Sequence, residues 1–424
     1  MKEGLNVKTL LLITKNYPFD TGEEFVENEI EYLAARFEHV HIIATAVFDA
    51  TRQTRRVPVN VSVFAITDEK NKEKRAVKYV LSGLLQLSKR SVLEELREAK
   101  KIRQKAYTLY FTARVERIIK RVLTDDIALN DENAKIEAVY CFWFNDVATV
   151  GVRLKQLLGW TCPVISRAHR YDLYPEKSAT GHIPFRQETI TGISKVYACS
   201  NDGCQCLKTL YSKNAGKFEV AYLGTMERGD NPFLKDARIE MVSCSSISLV
   251  KRIDIIVDAL KEIAQQNDLS IVWHCIGSGV LLDSIKHMVS QIQSDRIEVV
   301  FYGRLQNDEV MNFYRHHSVD LFLNTSASEG LPVSIMEAAS FGIPTIGSNV
   351  GGTRELIEDG INGYLLEEPV TSQQLANAIR RYSVMPESMV RNMRLAAKRK
   401  WREQYNAEYN YNEFAQRIKN LCEG

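Results

Sequence analysis

The stretch Ser328-Glu329-Gly330-Leu331-Pro332-Val333-Ser334-Ile335-Met336-Glu337-Ala338-Ala339 decides the fold of this chain. Before it, Ser318-Val319-Asp320-Leu321-Phe322-Leu323-Asn324 is a short apolar run that reads as a buried parallel strand. Within it, Pro332 suits a first helical position, and Gly342 beyond it suits a helix stop. Ile343-Pro344-Thr345-Ile346-Gly347 then opens a second strand, which runs into Asn349-Val350-Gly351-Gly352. This order of strand, turn, helix and strand is a βαβ unit. Its polar, glycine-rich turns fall at the carboxyl ends of the strands, the edge at which open α/β sheets bind ligands.

The chemistry of the turn suits a phosphorylated sugar. Leu331 to Ser334 lie at the helix amino end and offer free backbone N–H groups to a phosphate. Glu329 stands just before that end, within reach of a hydroxyl-rich group. Glu337 lies further into the helix, where it can accept from a ribose diol. Gly351 and Gly352 are expected to let the backbone come close to a ligand.

The same alternation extends outward. Strands are expected at 240–245, 270–276, 297–302, 319–324 and 343–347. Helices are expected at 252–264, 280–292, 307–317, 332–341, 353–358 and 372–382, which makes a Rossmann-like domain. Gly277-Ser278-Gly279 follows a strand but lacks the full dinucleotide fingerprint, so a nicotinamide site is not expected.

The amino-terminal half opens with a strand at 8–13, a turn from Asn16 to Gly22 and a helix at 23–37. Phe25, Ile30, Leu33 and Phe37 share one face of that helix, while Glu27 and Glu29 read as its solvated face. Further strands are expected at 39–44, 137–142 and 163–167, with last elements at 197–200 and 218–223. Residues 70–124, with little glycine and no proline, read as long helices. The expected organisation is a Rossmann-like domain over 1–225, a linker over 226–238, a second such domain over 239–397 and a closing segment over 398–424.

Composition agrees with two cores. The chain has 424 residues, 45% hydrophobic and 25% charged, which is globular rather than disordered. No apolar run reaches the length of a membrane span. Lys8 to Ile13 is too short for a signal-peptide core and reads as the first strand. Of the eight cysteines, Cys199, Cys204 and Cys206 cluster, but no second pair stands at zinc spacing. Free thiols in a reducing cytoplasm are expected. The net charge is +2, yet residues 70–121 carry sixteen Lys and Arg against five Glu, or +11. That asymmetry points to an anionic partner, such as a membrane surface, and not to nucleic acid.

The string from Ser328 to Ala338 resembles the Glu-x7-Glu signature of glycosyltransferase family 4, and Gly351-Gly352-Thr353-Arg354-Glu355-Leu356-Ile357-Glu358-Asp359-Gly360-Ile361-Asn362-Gly363 is similar to the family's next block. The resemblance implies a GT-B fold, two Rossmann-like domains facing across a cleft, with the last helix crossing back onto the first domain. It implies retaining transfer from a nucleotide-diphosphate sugar to a saccharide acceptor. Since no Asp-x-Asp occurs, it also implies an enzyme without metal or other cofactor. Donor contacts carried over by the resemblance are Lys251, Gly303, Arg304, Leu305, Gly330, Leu331, Pro332, Val333 and Glu337. Gly22 stands at the turn that faces the donor phosphates, and Glu329, His169 and Lys251 form the catalytic set. Ser246 stands where the family has an arginine, with Arg252 available to compensate.

Tyr17-Pro18-Phe19 to Glu29, with Ser166 to Tyr174, looks like bacterial enzymes of capsule or exopolysaccharide assembly, which act on lipid-linked saccharides at the inner leaflet. Two other readings stay open on the sequence. One is a different enzyme on this architecture, such as a sucrose- or glycogen-type transferase or a nucleotide-sugar epimerase. The other is a non-catalytic binding subunit, which Ser246 favours and the Glu329/Glu337 pair opposes.

Overall fold

The structure, a computed structural model, describes residues 7–20, 22–125, 134–175, 178 and 180–423. Thr21 of the expected first turn lies outside them. The chain divides into two compact units, Met1–Ala221 with Tyr411–Gly424, and Tyr222–Asn410.

The first unit is built on strands β1 (Val7–Thr14), β2 (His39–Val47), β3 (Val61–Thr67), β4 (Ala134–Cys141), β5 (Val164–Ala168), β6 (Lys195–Ala198) and β7 (Phe218–Val220). They form one parallel sheet in the order β3-β2-β1-β4-β5-β6-β7. β1 shows why its sequence is an unbroken apolar run. Leu10 and Leu12 enter one core cluster, Leu11 and Ile13 another, and all four are fully buried. A strand covered on both faces needs apolar side chains in both directions. Each such side chain stabilises by about 1.5–3 kcal/mol.

The last helix, Ala407–Glu423, completes one of these clusters with Phe414, Ala415 and Ile418. Phe414 also covers the Arg167 guanidinium at 4.0 Å. Beneath it, Arg167 donates to Glu29 Oε2 at 2.9 Å, to the Ala221 carbonyl at 2.7 Å and to the Tyr140 hydroxyl at 3.1 Å. Glu29 is therefore not on a solvated face: it is 1% exposed and is half of a buried ion pair. Helical periodicity placed it outside because a charged residue reads as polar whether or not a partner waits for it.

The second unit contains β8 (Arg238–Cys244), β9 (Ser270–Ile276), β10 (Ile297–Gly303), β11 (Leu321–Asn324), β12 (Thr345–Ser348) and β13 (Gly363–Leu366). They form a second parallel sheet in the order β10-β9-β8-β11-β12-β13. Its core holds Met241, Trp273, Leu321, Leu323 and Ile346. Helices Ile253–Gln266 and Val333–Ser340 follow the turns after β8 and β11.

The closing segment is not one helix over 398–424. A helix over Glu387–Gln404 ends, and the chain restarts at Ala407. At the break, Thr225 N–H donates to the Tyr405 carbonyl and Ala407 N–H to the Thr225 carbonyl. The helix ends there because the backbone pairs with the chain leaving the first unit. Trp401 and Tyr405 are fully buried in the second unit, whereas Phe414 is in the first.

Candidate functional site

The turns after β8, β11 and β12 are stitched together by backbone and hydroxyl bonds. Ala327 N–H donates to the Val250 carbonyl at 2.8 Å, and Thr325 Oγ1 to the carbonyls of Lys251 and Arg252 at 3.1 and 2.8 Å. Gly352 N–H donates to the Gly330 carbonyl at 2.8 Å. A Cβ on Gly351 would lie 2.1 Å from the Glu329 carbonyl oxygen, and one on Gly352 2.2 Å from that of Gly330. These glycines are thus required by backbone meeting backbone. Gly351 also has φ +50°, a conformation that L side chains rarely adopt.

This stitching sets the carboxylate of Glu329, which is 8% exposed. Its Oε1 accepts from Lys251 Nζ at 2.7 Å and from Asn324 Nδ2 at 3.3 Å. Asn324 closes β11 and was not singled out from the sequence; a polar residue ending an apolar strand was the signal available. Gly330 to Val333 lead into helix Val333–Ser340, whose start carries no side-chain cap. The Val333 and Ser334 amides sit in the first turn, where no intrahelical acceptor exists.

Glu337 has a different partner. Its Oε1 accepts from Asn307 Nδ2 at 2.6 Å. Burial pushes its carboxyl up to about 7, against which the Asn307 bond pulls down. Its charge is felt by the Cys244 thiol, pushed up to about 12 mainly by burial, and by the buried Tyr314 phenol. Arg252 is held with φ +48° at the head of its helix, and its Nε lies 3.2 Å from Asp254 Oδ2. Its side chain thus has a local carboxylate partner. Ser246 is exposed. Gly303 ends β10 with φ +69° and accepts from Gly277 N–H at 2.7 Å; Arg304 is exposed and Leu305 half-buried.

His169 lies in the first unit, directly after β5. Its ring packs against Phe142 and Trp143, with centroids 4.9 and 4.7 Å away. Neither ring nitrogen has a hydrogen-bond partner among the described residues. Burial, and then the nearby Arg167 and Lys15 charges, push the imidazole down to about 3, so it is neutral at physiological pH. Asp172 accepts from the His169 and Phe144 amides and is pushed up to about 6 by burial.

Gly22 has φ +100°, and its turn is not an open cradle of amides. The Glu23 carboxylate accepts from the amides of Lys15, Asn16 and Tyr17 at 2.8, 2.6 and 2.7 Å and from Trp143 Nε1 at 2.5 Å. A phosphate at these amides would have to displace it. Among the described residues no group of three or more His, Cys, Asp or Glu is arranged to hold a metal ion. No helix there is long and apolar enough to cross a membrane.

A sequence model of the family described as "Glycosyl transferases group 1" matches residues 228–400. The O-antigen biosynthesis glycosyltransferase WbnH of Escherichia coli is 44% identical over 94 residues, which is 22% of this chain and 25% of the relative. The amylovoran biosynthesis glycosyltransferase AmsK of Erwinia amylovora is 26% identical over 216 residues, 49% of this chain and 52% of that protein. The chain therefore spans between a quarter and about half of the length of these curated relatives. Over the full length, the structure resembles that of Anabaena HepE in complex with UDP and glucose, with a TM-score of 0.63 at 17% identity. That match covers 97% of this chain and 99% of HepE. The fold is GT-B.

Proposed function

We propose that the protein is a retaining glycosyltransferase that moves a sugar from a nucleotide-diphosphate sugar to a saccharide acceptor, lipid-linked, in surface polysaccharide assembly. The observation that carries this reading is the Glu329 carboxylate, held by Lys251 and Asn324 beside an uncapped helix start. A carboxylate next to free amides and a cation can receive sugar hydroxyls and a diphosphate side by side. The match over residues 228–400 and the O-antigen and amylovoran relatives support the same reading.

In this assignment the donor diphosphate takes Lys251, Arg252 and the amides of Leu331 and Val333. Glu329 then turns to the sugar hydroxyls, and Glu337 accepts from the ribose. Gly303, Arg304 and Leu305 lie against the base. His169, neutral and with both ring nitrogens unpartnered among the described residues, is the first unit's candidate partner for a sugar hydroxyl. Gly22 takes no part while Glu23 fills its turn.

The step we infer is a front-face displacement. The acceptor oxygen forms its bond to the anomeric carbon as the carbon–phosphate oxygen bond breaks, and the acceptor proton passes to a phosphate oxygen. Catalysis then rests on positioning and on stabilising the leaving charge. No metal is invoked, because cations and helix-end amides are available for the diphosphate.

The helices Lys72–Leu84, Arg90–Glu98 and Ile102–Thr124 carry the basic segment. Lys100, Lys101, Arg103 and Lys105 are exposed, and so are Val77, Leu81, Leu84, Leu85 and Ile102. This mixture suits attachment to the anionic inner face of the cell membrane. Leu109 and Phe111 do not belong to it, since both are buried in the core. Arg114 is also buried, and Arg117 is taken up by the Tyr79 hydroxyl and the Thr67 carbonyl.

The test is a thermal-shift screen against UDP-, GDP- and dTDP-sugars, since a ligand that binds only the native state raises apparent stability. The hit is then incubated with acceptor, and the new linkage is read by NMR. Absence of any hit, or an inverted linkage, removes the proposal.

A further inference from the structure

The first unit contains a cavity of about 500 Å³ that the donor and sugar contacts leave unused. It lies at the carboxyl edge of the seven-stranded sheet, where Lys15 follows β1 and Asp146 lies beyond β4. Helices Lys72–Leu84 and Ile102–Thr124 line it from the other side. Its wall carries Lys15, Lys72, Arg75 and Arg114 against the single carboxylate of Asp146, a surplus of three positive charges.

Arg114 is the informative group, because it is 8% exposed. Its Nε faces Asp146, and its Nη1 lies 3.7 Å from Asp68 Oδ2. Its Nη2 is buried and has no hydrogen-bond partner among the described residues. A buried guanidinium N–H without an acceptor is costly, and a small shift of Arg114 toward an oxyanion in the cavity would satisfy it. Arg75 is steadied at the rim by the Glu69 carbonyl at 2.8 Å and the Phe48 ring at 5.2 Å.

The apolar part of the wall has a shape of its own. The rings of Tyr107 and Tyr110 are nearly parallel, 13° apart, with centroids at 6.2 Å. The two rings stack on one another and give the wall an aromatic part against which a pyranose can pack. Lys15 on its wall has Nζ 5.1 Å from the Trp143 ring centroid, and Trp143 in turn packs on His169.

We propose that this cavity binds the phosphate or diphosphate ester of a phosphorylated saccharide. Its oxygens lie on Lys72, Arg75 and Arg114 and its sugar on Tyr107 and Tyr110. The inference rests on the glycosyltransferase reading and names its acceptor class. With Asp68 beside Arg114 counted together with Asp146, a surplus of two positive charges remains, which a ligand of more than one negative charge such as a diphosphate diester matches and a single uronate carboxylate does not.

The experiment is calorimetric titration of the intact protein with inorganic pyrophosphate, glucose 1-phosphate and farnesyl diphosphate. Three proteins are compared: wild type, Lys251→Gln, and the double variant Lys72→Gln/Arg75→Gln. The wild type and Lys251→Gln are expected to bind at least one probe equally. The double variant should bind it at least tenfold more weakly while binding UDP or GDP as the wild type does. Tighter binding of farnesyl diphosphate than pyrophosphate assigns the ester to a lipid-linked acceptor; tighter binding of glucose 1-phosphate assigns it to a free sugar phosphate. The proposal is overturned if no probe binds, or if binding is lost in Lys251→Gln and kept in the double variant. Nucleotide binding tests the broader reading separately: a wild type that binds UDP or GDP but no probe sinks only this inference.

Discussion

One strand-to-helix turn at each sheet edge carries a glutamate, and the two are used in opposite ways. In the first unit Glu23 accepts from three backbone amides and the Trp143 indole. A carboxylate has roughly four lone-pair sites, so Glu23 is saturated by its own protein. In the second unit Glu329 accepts from two side chains, Lys251 and Asn324, and the amides at the following helix start have no intrahelical acceptor. Lysine is a rotatable point charge that can move to a phosphate without unfolding anything. The same architecture thus has one turn closed by an internal anion and one turn that can exchange its partners for a ligand's.

The sharpest way to break this comparison is to remove both carboxylates in turn. Glu23→Ala leaves several donors without an acceptor, and should cost about 3 kcal/mol or more. For a unit of this size that is a fall in melting temperature of roughly 6–12 °C by calorimetry. Glu329→Gln should stay within about 2 °C of wild type, because the Gln amide oxygen can still accept from Asn324 and the partly exposed Lys251 can turn to water. Equal losses would mean that Glu329 is as structural as Glu23.

Turnover should separate the pair in the other direction. Glu329→Gln is expected to lower kcat on the order of 100-fold with a small change in KM, as when a transition-state contact is lost. Steady-state kinetics on the identified donor decides it, and retention of full activity would withdraw the site.

Glu337 sharpens the contrast by pH. Glu337→Gln should weaken donor binding by about 1.5–3 kcal/mol at neutral pH and above. Its carboxyl is raised from 4.5 to about 7 by burial. A raised carboxyl favours the protonated form in the fold, so its stabilising effect is present below its ordinary value and is lost as pH rises through about 7. Ribose hydroxyls donate more strongly to the ionised form. Donor affinity should therefore rise with pH through that range in the wild type and stay flat in Glu337→Gln, by titration calorimetry at a series of pH values. The smallest effect is expected from chelation: turnover in EDTA should match the untreated enzyme. Loss of turnover with recovery on magnesium or manganese would replace cation-and-amide stabilisation of the leaving diphosphate with a metal-assisted step.

Much of the second unit was legible. The strands at 270–276 and 297–303 and the helices around 307–316 and 372–383 fall where the periodicity placed them. Short strands whose buried runs are brief were harder. β13 at Gly363–Leu366 went unseen because it starts on a glycine directly after the Gly360 turn, so its three apolar residues read as part of the loop. In the first unit β3 was missed, although Val61–Thr67 is an apolar run broken only by Ser62. Helix Asp146–Leu158 was missed as well. The site was legible as residue types: Glu329, Glu337 and Lys251 were each singled out. Their partners were not, nor was the purpose of Gly351 and Gly352, which serve close backbone packing.

By itself the sequence determined the βαβ alternation, the two-core size and the glutamate-bearing turn. These follow from local patterns, in which a run of apolar residues, a proline and a glycine constrain the chain within a few positions. Only the tertiary structure decided who holds whom. Lys251 reaches Glu329 from 78 residues away, Trp143 reaches Glu23 from 120, and Arg167 reaches Glu29 from 138. Parallel strands bring loops of distant origin to one sheet edge, so the partner of a carboxylate depends on strand order rather than on its neighbours in sequence. That order is why one glutamate became a plug and the other remained free to meet a ligand.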